Sequence, residues 1–259
     1  MKNSFNIIVI AAAMIIAFGI YELYFGSAGN FTDQAKKKPK VGNALGMIYT
    51  GGPIVGILMG LIIISITFVF ERHFSIKKAK GKGDVSVYLK KLIESLAKGD
   101  YDNALKECES QRGSMANIMR AAIERFKTIE NDPEYPTEKK MQEVQRAIDE
   151  STNLETPLLE QNLVILSTVA SISTMFGLLG TTVGMIRAFA ALGEAGTVDA
   201  TALAVGISEA LYNTAGGLAG AIISIVAFNF FTTKVDNYVY MIDEAILNVT
   251  QLFTIRVKK

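Results

Sequence analysis

Two stretches near the C-terminus, residues 161–186 and 200–231, contain a single charged residue between them, Glu209. Each exceeds the roughly 20 apolar residues that cross about 30 Å of hydrocarbon, so the pair is expected to form a membrane hairpin and not a soluble core. An acid in that setting must be neutral, hydrated or paired, and it is a functional hypothesis by default.

Half of the 259 residues are hydrophobic, and they are bunched into blocks, which by itself indicates a membrane protein. Residues 44–70 carry no charge over 27 positions and make a further span. Residues 5–21 make a shorter one at the lower limit of length. The count is three to four transmembrane helices. The first apolar run follows Lys2 and precedes Gly26, Ser27, Ala28 and Gly29, so a signal peptide is one reading. The length of the run and the lack of an A-x-A site favour an uncleaved anchor.

Of the 26 Lys and Arg residues, 16 fall between Glu71 and Glu160. Positive-inside then places that polar segment and the tail ending in Arg256, Lys258 and Lys259 in the cytoplasm. The same topology puts Lys36, Lys37, Lys38 and Lys40 outside, against the rule.

The expected division is an N-terminal anchor at 1–25, an external linker at 26–42 and a transmembrane helix at 43–75. A cytoplasmic helical segment at 76–158 follows, then signature spans at 159–190 and 200–259 joined by an external loop at 191–199. In the polar segment Val85, Leu89, Leu92 and Leu96 repeat at helical spacing, as do Ile118, Ala122, Phe126 and Ile129. Breaks are expected at Lys98-Gly99-Asp100, Arg112-Gly113 and Asp132-Pro133 to Pro136. Thr137 is expected to cap the next helix, and Pro157 to interrupt or kink it. Beyond Phe231, Val235, Val239, Ile242, Ile246, Val249 and Phe253 continue a helical pattern, so the long helices should build a cytoplasmic helical bundle.

The single cysteine, Cys108, can form no internal disulfide, and the single histidine, His73, has no ligand cluster around it. No nucleophile and base pairing stands out, so nothing argues for an enzyme, a cofactor or a nucleic-acid partner. Small residues recur four apart at Gly52, Gly56 and Gly60, at Gly180 and Gly184, and at Gly216 and Gly220, a spacing that lets helices approach closely in lipid. The plain reading is packing, and the number of such interfaces favours an oligomer. Ser167, Ser171, Thr174 and Thr181 fall within roughly 80° on a helical wheel. Each hydroxyl alone could bond its own preceding carbonyl, whereas four on one face suit a helix lining a wet or closely packed cavity. In the last span Glu209, Asn213, Gly216 and Gly220 share one face, and Thr214, with Gly217, lies about 140° round from Glu209. Glu209 is open to two readings, a structural hydrogen bond or ion pair at a contact, and a part in ion movement. Arg187 reads as a snorkelling anchor at the outer end of its span.

Gly177-Leu178-Leu179-Gly180-Thr181 with Gly184, and Glu209-Ala210-Leu211 continuing to Thr214-Ala215 and Gly217-Leu218, resemble the signature helices of the ExbB/TolQ/MotA proton-channel family, nearest to its ExbB and TolQ branch. Glu71-Arg72 and Lys98-Gly99-Asp100-Tyr101 leading into Ala104-Leu105 add to the likeness, which covers residues 45–250. The resemblance implies a homopentamer around a central pore that holds the helices of an ExbD-like or TolR-like single-span dimer, whose aspartate takes the proton. It implies pore-lining roles for Thr181 and Thr214, and makes Glu209 the family's acid on the last span. It also implies coupling of proton flow to mechanical work on a TonB-like envelope protein, in the inner membrane. If Thr214 faces the pore, Glu209 is turned away from it, which makes Glu209 a tuning or structural residue and not the carrier. Prolines common in both signature helices are missing, with Thr174 and Ile223 in their places. An extra N-terminal span departs from the usual three and keeps a MotA-like stator as runner-up. A non-conducting scaffold is the alternative from another class.

Overall fold

The computed structural model describes residues 2–33, 38–194 and 200–257. Lys36 and Lys37, the tail lysines Lys258 and Lys259, and most of the expected outer loop lie outside the described residues. Among those described the chain is nearly all helical: α1 (Lys2–Ile20), α2 (Ala44–Tyr49), α3 (Pro53–Lys80), α4 (Val85–Lys98), α5 (Tyr101–Gln111), α6 (Ser114–Ile129), α7 (Thr137–Glu160), α8 (Leu163–Glu194) and α9 (Ala200–Val257). α1 runs on through a π-helical turn, Tyr21–Phe25, so its apolar stretch reaches 20 residues, Asn6–Phe25. Four helices are long and apolar enough to cross a bilayer, and the protein is a multi-pass membrane protein.

Several boundaries differ from those read in the sequence. The uncharged run 44–70 is two helices, because Gly51-Gly52-Pro53 stops α2 and starts α3, which then continues to Lys80. Proline has no N–H to continue α2 but suits the first turn of α3. Pro157 does not end its helix. The break falls at Gln161 and Asn162, where Asn162 adopts φ +65°, a left-handed conformation that asparagine tolerates better than most residues. Thr137 is the first residue of α7 and caps nothing; Pro136 precedes it and no side chain accepts from the helix. The helix after that break extends to Glu194, through the first part of the expected loop.

The chain divides into two compact units, Met1–Phe70 with Asn162–Asn229, and Glu71–Gln161 with Phe230–Lys259. In the first, α1 packs antiparallel to α3. The Phe18 ring lies against Gly56, where a Cβ would come within 3.0 Å, and Met14 and Ala17 fill the space beside Gly60. The side-chain amide of Asn6 donates to Asn162 Oδ1 at 2.8 Å, which puts the start of α1 beside the start of α8.

The second unit is a helical bundle whose core combines the apolar faces of α4 to α7 with the second half of α9. Leu92, Ile118, Ile123, Phe126, Val144, Ile148, Ile242, Val249 and Phe253 are fully or almost fully buried. Phe126 and Phe253 stack with centroids 4.1 Å apart, an aromatic contact that adds to their area burial. Asp84 and Asp100 cap α4 and α5 by accepting from Ser86 N and Asn103 N, which places both breaks where the Asp and Gly residues stand. Gly113, at φ +86°, must be glycine, since a Cβ would press on the Ala79 carbonyl at the end of α3. Arg72 is 1% exposed and makes two 2.6 Å bonds to Glu71, with a third to the Leu159 carbonyl, so its charge is paired as burial requires. Cys108 is buried with Sγ 3.2 Å from the Tyr88 hydroxyl.

Phe126→Ala removes both the stack and a fully buried ring. It should cost about 3–5 kcal/mol, read as a lowered thermal midpoint of the purified protein in detergent. Burial pushes the Cys108 thiol up, so the folded protein keeps it protonated at pH 8. Maleimide should label it slowly until denaturant is added. The thiol's contribution to stability holds below its ordinary pKa and is lost as pH rises through the folded value.

Candidate functional site

α8 and α9 meet along a seam of small residues in antiparallel register. Gly177 faces Gly217, Gly180 faces Asn213, Gly184 faces Ala210 and Gly206, and Ala188 faces Gly206. A Cβ on Gly177 would sit 3.1 Å from Gly217 Cα, one on Gly217 2.6 Å from the Ser173 carbonyl, and one on Gly184 2.9 Å from Ala210 N. The two backbones touch, and no methyl group fits between them. Gly216 lies against Leu58 of α3, and Gly220 lies where α8 and α3 both approach, with Ser173 Oγ nearest to its Cβ position at 2.9 Å and Ile62 at 3.4 Å. In lipid, where apolar side chains gain little by leaving the solvent, such close backbone approach holds helices together.

The seam divides the hairpin into two flanks. At 100° per residue Arg187 and Glu209 each lie about 60° to one side of their helix's seam line, while Thr181, Thr174 and Thr214 lie about 60–80° to the other. Because the helices are antiparallel, equal senses of rotation land on the same side, so the acid and the threonines are kept apart.

The acid flank is covered. Glu209 is 6% exposed and forms an ion pair through Oε1 with Arg187 Nη1. Gly52, at φ +77°, stands beside the same oxygen, where a Cβ would come within 2.8 Å of it. The conformation and the space both call for glycine. One turn on, Asn213 is fully buried and its Nδ2 donates to the Gly51 carbonyl at 2.8 Å. That carbonyl lies in the helix break, so the side chain supplies a partner that continuous helix would have provided. Deeper in the span, the Ser65 and Ser224 hydroxyls meet at 2.5 Å, and Ser224 also donates to the Gly220 carbonyl. Glu209, Asn213 and Ser224 thus tie α9 to α8, to the Gly51–Gly52 break and to α3.

The threonine flank is left open. Thr181 and Thr174 are half-buried and Ser171 is exposed, and around them Leu178, Leu211 and Leu218 are exposed on both helices. Ser167, Ser171, Thr174 and Thr181 all donate to carbonyls of their own helix, at 3.0, 3.3, 3.1 and 2.6 Å. Within one chain they follow the intrahelical reading of their hydroxyls. Each retains lone pairs that can accept from a further donor. Thr214 differs: its Oγ1 is buried and has no hydrogen-bond partner among the described residues.

Sequence reasoning treated Arg187 as an anchor and missed its partner. Residue spacing within one helix could not reveal a pair made between the facing ends of two. It also missed the seat for Glu209 and Asn213, although Gly51-Gly52-Pro53 is a strong break signal in its own right. Among the described residues no group of three or more His, Cys, Asp or Glu could hold a metal ion.

Residues 110–244 match the MotA/TolQ/ExbB proton channel family. The chain is 28% identical over 189 residues to a Tol-Pal system protein TolQ of Pseudomonas aeruginosa, covering 69% of this chain and 78% of that protein. It is 40% identical over 103 residues to TolQ of Haemophilus influenzae, covering 38% of this chain and 45% of that protein. It is 43% identical over 77 residues to the biopolymer transport protein ExbB of Aquifex aeolicus, covering 30% of this chain and 52% of that protein. The matched segment takes in all of α8, the Glu209 and Arg187 pair and the threonines of the open flank, and the chain belongs to the MotA/TolQ/ExbB proton channel family.

Proposed function

We propose that this protein is the channel subunit of an inner-membrane motor that couples proton motive force to mechanical work on an envelope protein of the TonB kind. The observation that carries the reading is the open flank: Thr174, Thr181 and Thr214 lie on a side of the hairpin where Leu178, Leu211 and Leu218 are exposed. A surface with exposed leucines and acceptor hydroxyls suits a neighbouring helix that brings its own protonatable group. An ExbD-like or TolR-like single-span dimer, enclosed by a homopentamer, fits that requirement. Proton transfer then takes place between the partner's carboxyl and water held by the threonines. This chain supplies the wall and the hydrogen-bond acceptors.

Glu209 has a different part. Its pairing with Arg187 and its seat at Gly52 make it a clamp that holds the outer end of α9 against α8 and the start of α3. It tunes the channel by fixing where α9 stands. The charge distribution supports an orientation with the polar bundle in the cytoplasm, since most of the cations lie there.

A second reading has support of its own. Similarity to the TolQ of Pseudomonas aeruginosa over 69% of this chain supports a Tol-Pal type of output, with envelope constriction in place of import.

The test is proton flux in proteoliposomes holding this chain and its single-span partner. Thr181→Val and Thr214→Val each remove a hydroxyl worth about 1–1.5 kcal/mol and should lower partner-dependent flux about tenfold. Undiminished flux in the double valine variant, with the complex assembled, overturns the channel reading. The clamp is tested by a double-mutant cycle on the thermal midpoint with Arg187→Gln and Glu209→Gln. Because Arg187 is more than half exposed, a coupling of about 0.5–1 kcal/mol is expected, and zero coupling refutes the clamp.

A further inference from the structure

We infer that the end of α3 carries a binding surface for anionic phospholipid headgroups, built from Lys77, Lys78 and Lys82. Ile66, Phe70, Phe74 and Lys77 follow one another at helical spacing along α3, with Lys78 beside them. Ile66, Phe70 and Phe74 are 43%, 60% and 65% exposed. The apolar part of this stripe is continuous with the span. Phe70 and Phe74 carry the apolar surface to the end of the stripe, and the cations begin just beyond. Lys77 stands three residues past Phe74, about 4.5 Å along the axis.

The direction of the chain matters here. α3 enters this region from the membrane, so its N-terminal direction points back into the bilayer. Side chains on a helix tilt toward its N-terminus. Lysines placed after a span therefore lean back toward the headgroups, and their long stems let the ammonium groups reach them.

Charge supports the same occupant. From His73 to Gly83 there are four lysines and no acid. None of the ion pairs among the described residues involves Lys77, Lys78, Lys80 or Lys82. Lys80 is turned inward, over the Tyr238 ring at 5.7 Å, which leaves Lys77, Lys78 and Lys82 exposed. The nearby Glu71 is engaged with Arg72. Three exposed cations directly after a span, in no ion pair among the described residues, suit a negatively charged membrane surface.

The experiment uses the full chain in neutral detergent and reads its thermal midpoint with added phosphatidylglycerol, phosphatidylcholine or inorganic phosphate. Phosphatidylglycerol should raise the midpoint by several degrees, and the other two should not. The shift should fall by more than half in Lys77→Gln/Lys78→Gln/Lys82→Gln and return in the corresponding triple Arg variant. It should persist in Lys90→Gln/Lys91→Gln, which removes the same kind of charge from α4. Equal stabilisation by phosphatidylcholine overturns the proposal, as does stabilisation by phosphate alone, an unchanged shift in the triple Gln variant, or an equal loss in the α4 variant. The inference rests on the membrane reading of α3 alone. The readout involves no proton movement, so its failure and that of the channel reading are separable.

Discussion

The backbone contact between α8 and α9 sets the position of everything else in the membrane unit. Gly177 against Gly217 and Gly184 against Ala210 leave no room for a methyl group, so the two helices have one register in which they can meet. A slip of one residue would bring Leu178 or Leu218 into the seam. Interiors packed to this density change between discrete arrangements and do not stretch. That rigidity is what makes the two flanks distinct surfaces: it holds the threonines on one side and Glu209 on the other.

On the covered flank, polar groups provide the partner choice that apolar contacts in lipid cannot. A carboxylate at 6% exposure is costly without a counter-charge, so Arg187 and the Gly52 seat together define where α9 must stand. Asn213 adds a directional bond to the helix break between α2 and α3. The break at Gly51 and Gly52 is thus a socket. It needs glycine because the Glu209 carboxylate lies where a side chain would go.

Much of this was legible in the sequence, and the parts that were not share one cause. Uncharged runs predicted the spans, and helical spacing predicted the bundle, because both signals are local. The separation of Glu209 from Thr214 followed from a helical wheel, since it depends on one helix only. Arg187 as the partner of Glu209, the Ser65 and Ser224 pair, and the stack of Phe126 on Phe253 each join distant helices, and no single-helix periodicity encodes them. Local signals also competed. Pro157 looked like a break, yet the chain turns at Asn162, where a residue tolerant of left-handed backbone stands between two helices that face different partners. Thr137 had the chemistry of a cap, but Pro136 sets the start of the helix first.

The size of the available energy limits which contacts a proton can disturb. Moving one charge across 100 mV releases about 2.3 kcal/mol. That is comparable with one or two hydrogen bonds at a partly exposed surface. It is much less than the cost of opening a seam in which Ser173, Gly177, Gly180, Gly184 and Ala188 are all in backbone contact range of the facing helix. Work drawn from protons must therefore be done where contacts are few and exchangeable. The open flank has that character: the Thr174 and Thr181 hydroxyls already have intrahelical partners, so a visiting group can come and go without leaving them unsatisfied. The covered flank does not, since Glu209 and Asn213 would be stranded if α9 moved. Under the proposed channel function, the division made by the glycine seam leaves motion to a partner helix at the threonines and stillness to the hairpin that carries them.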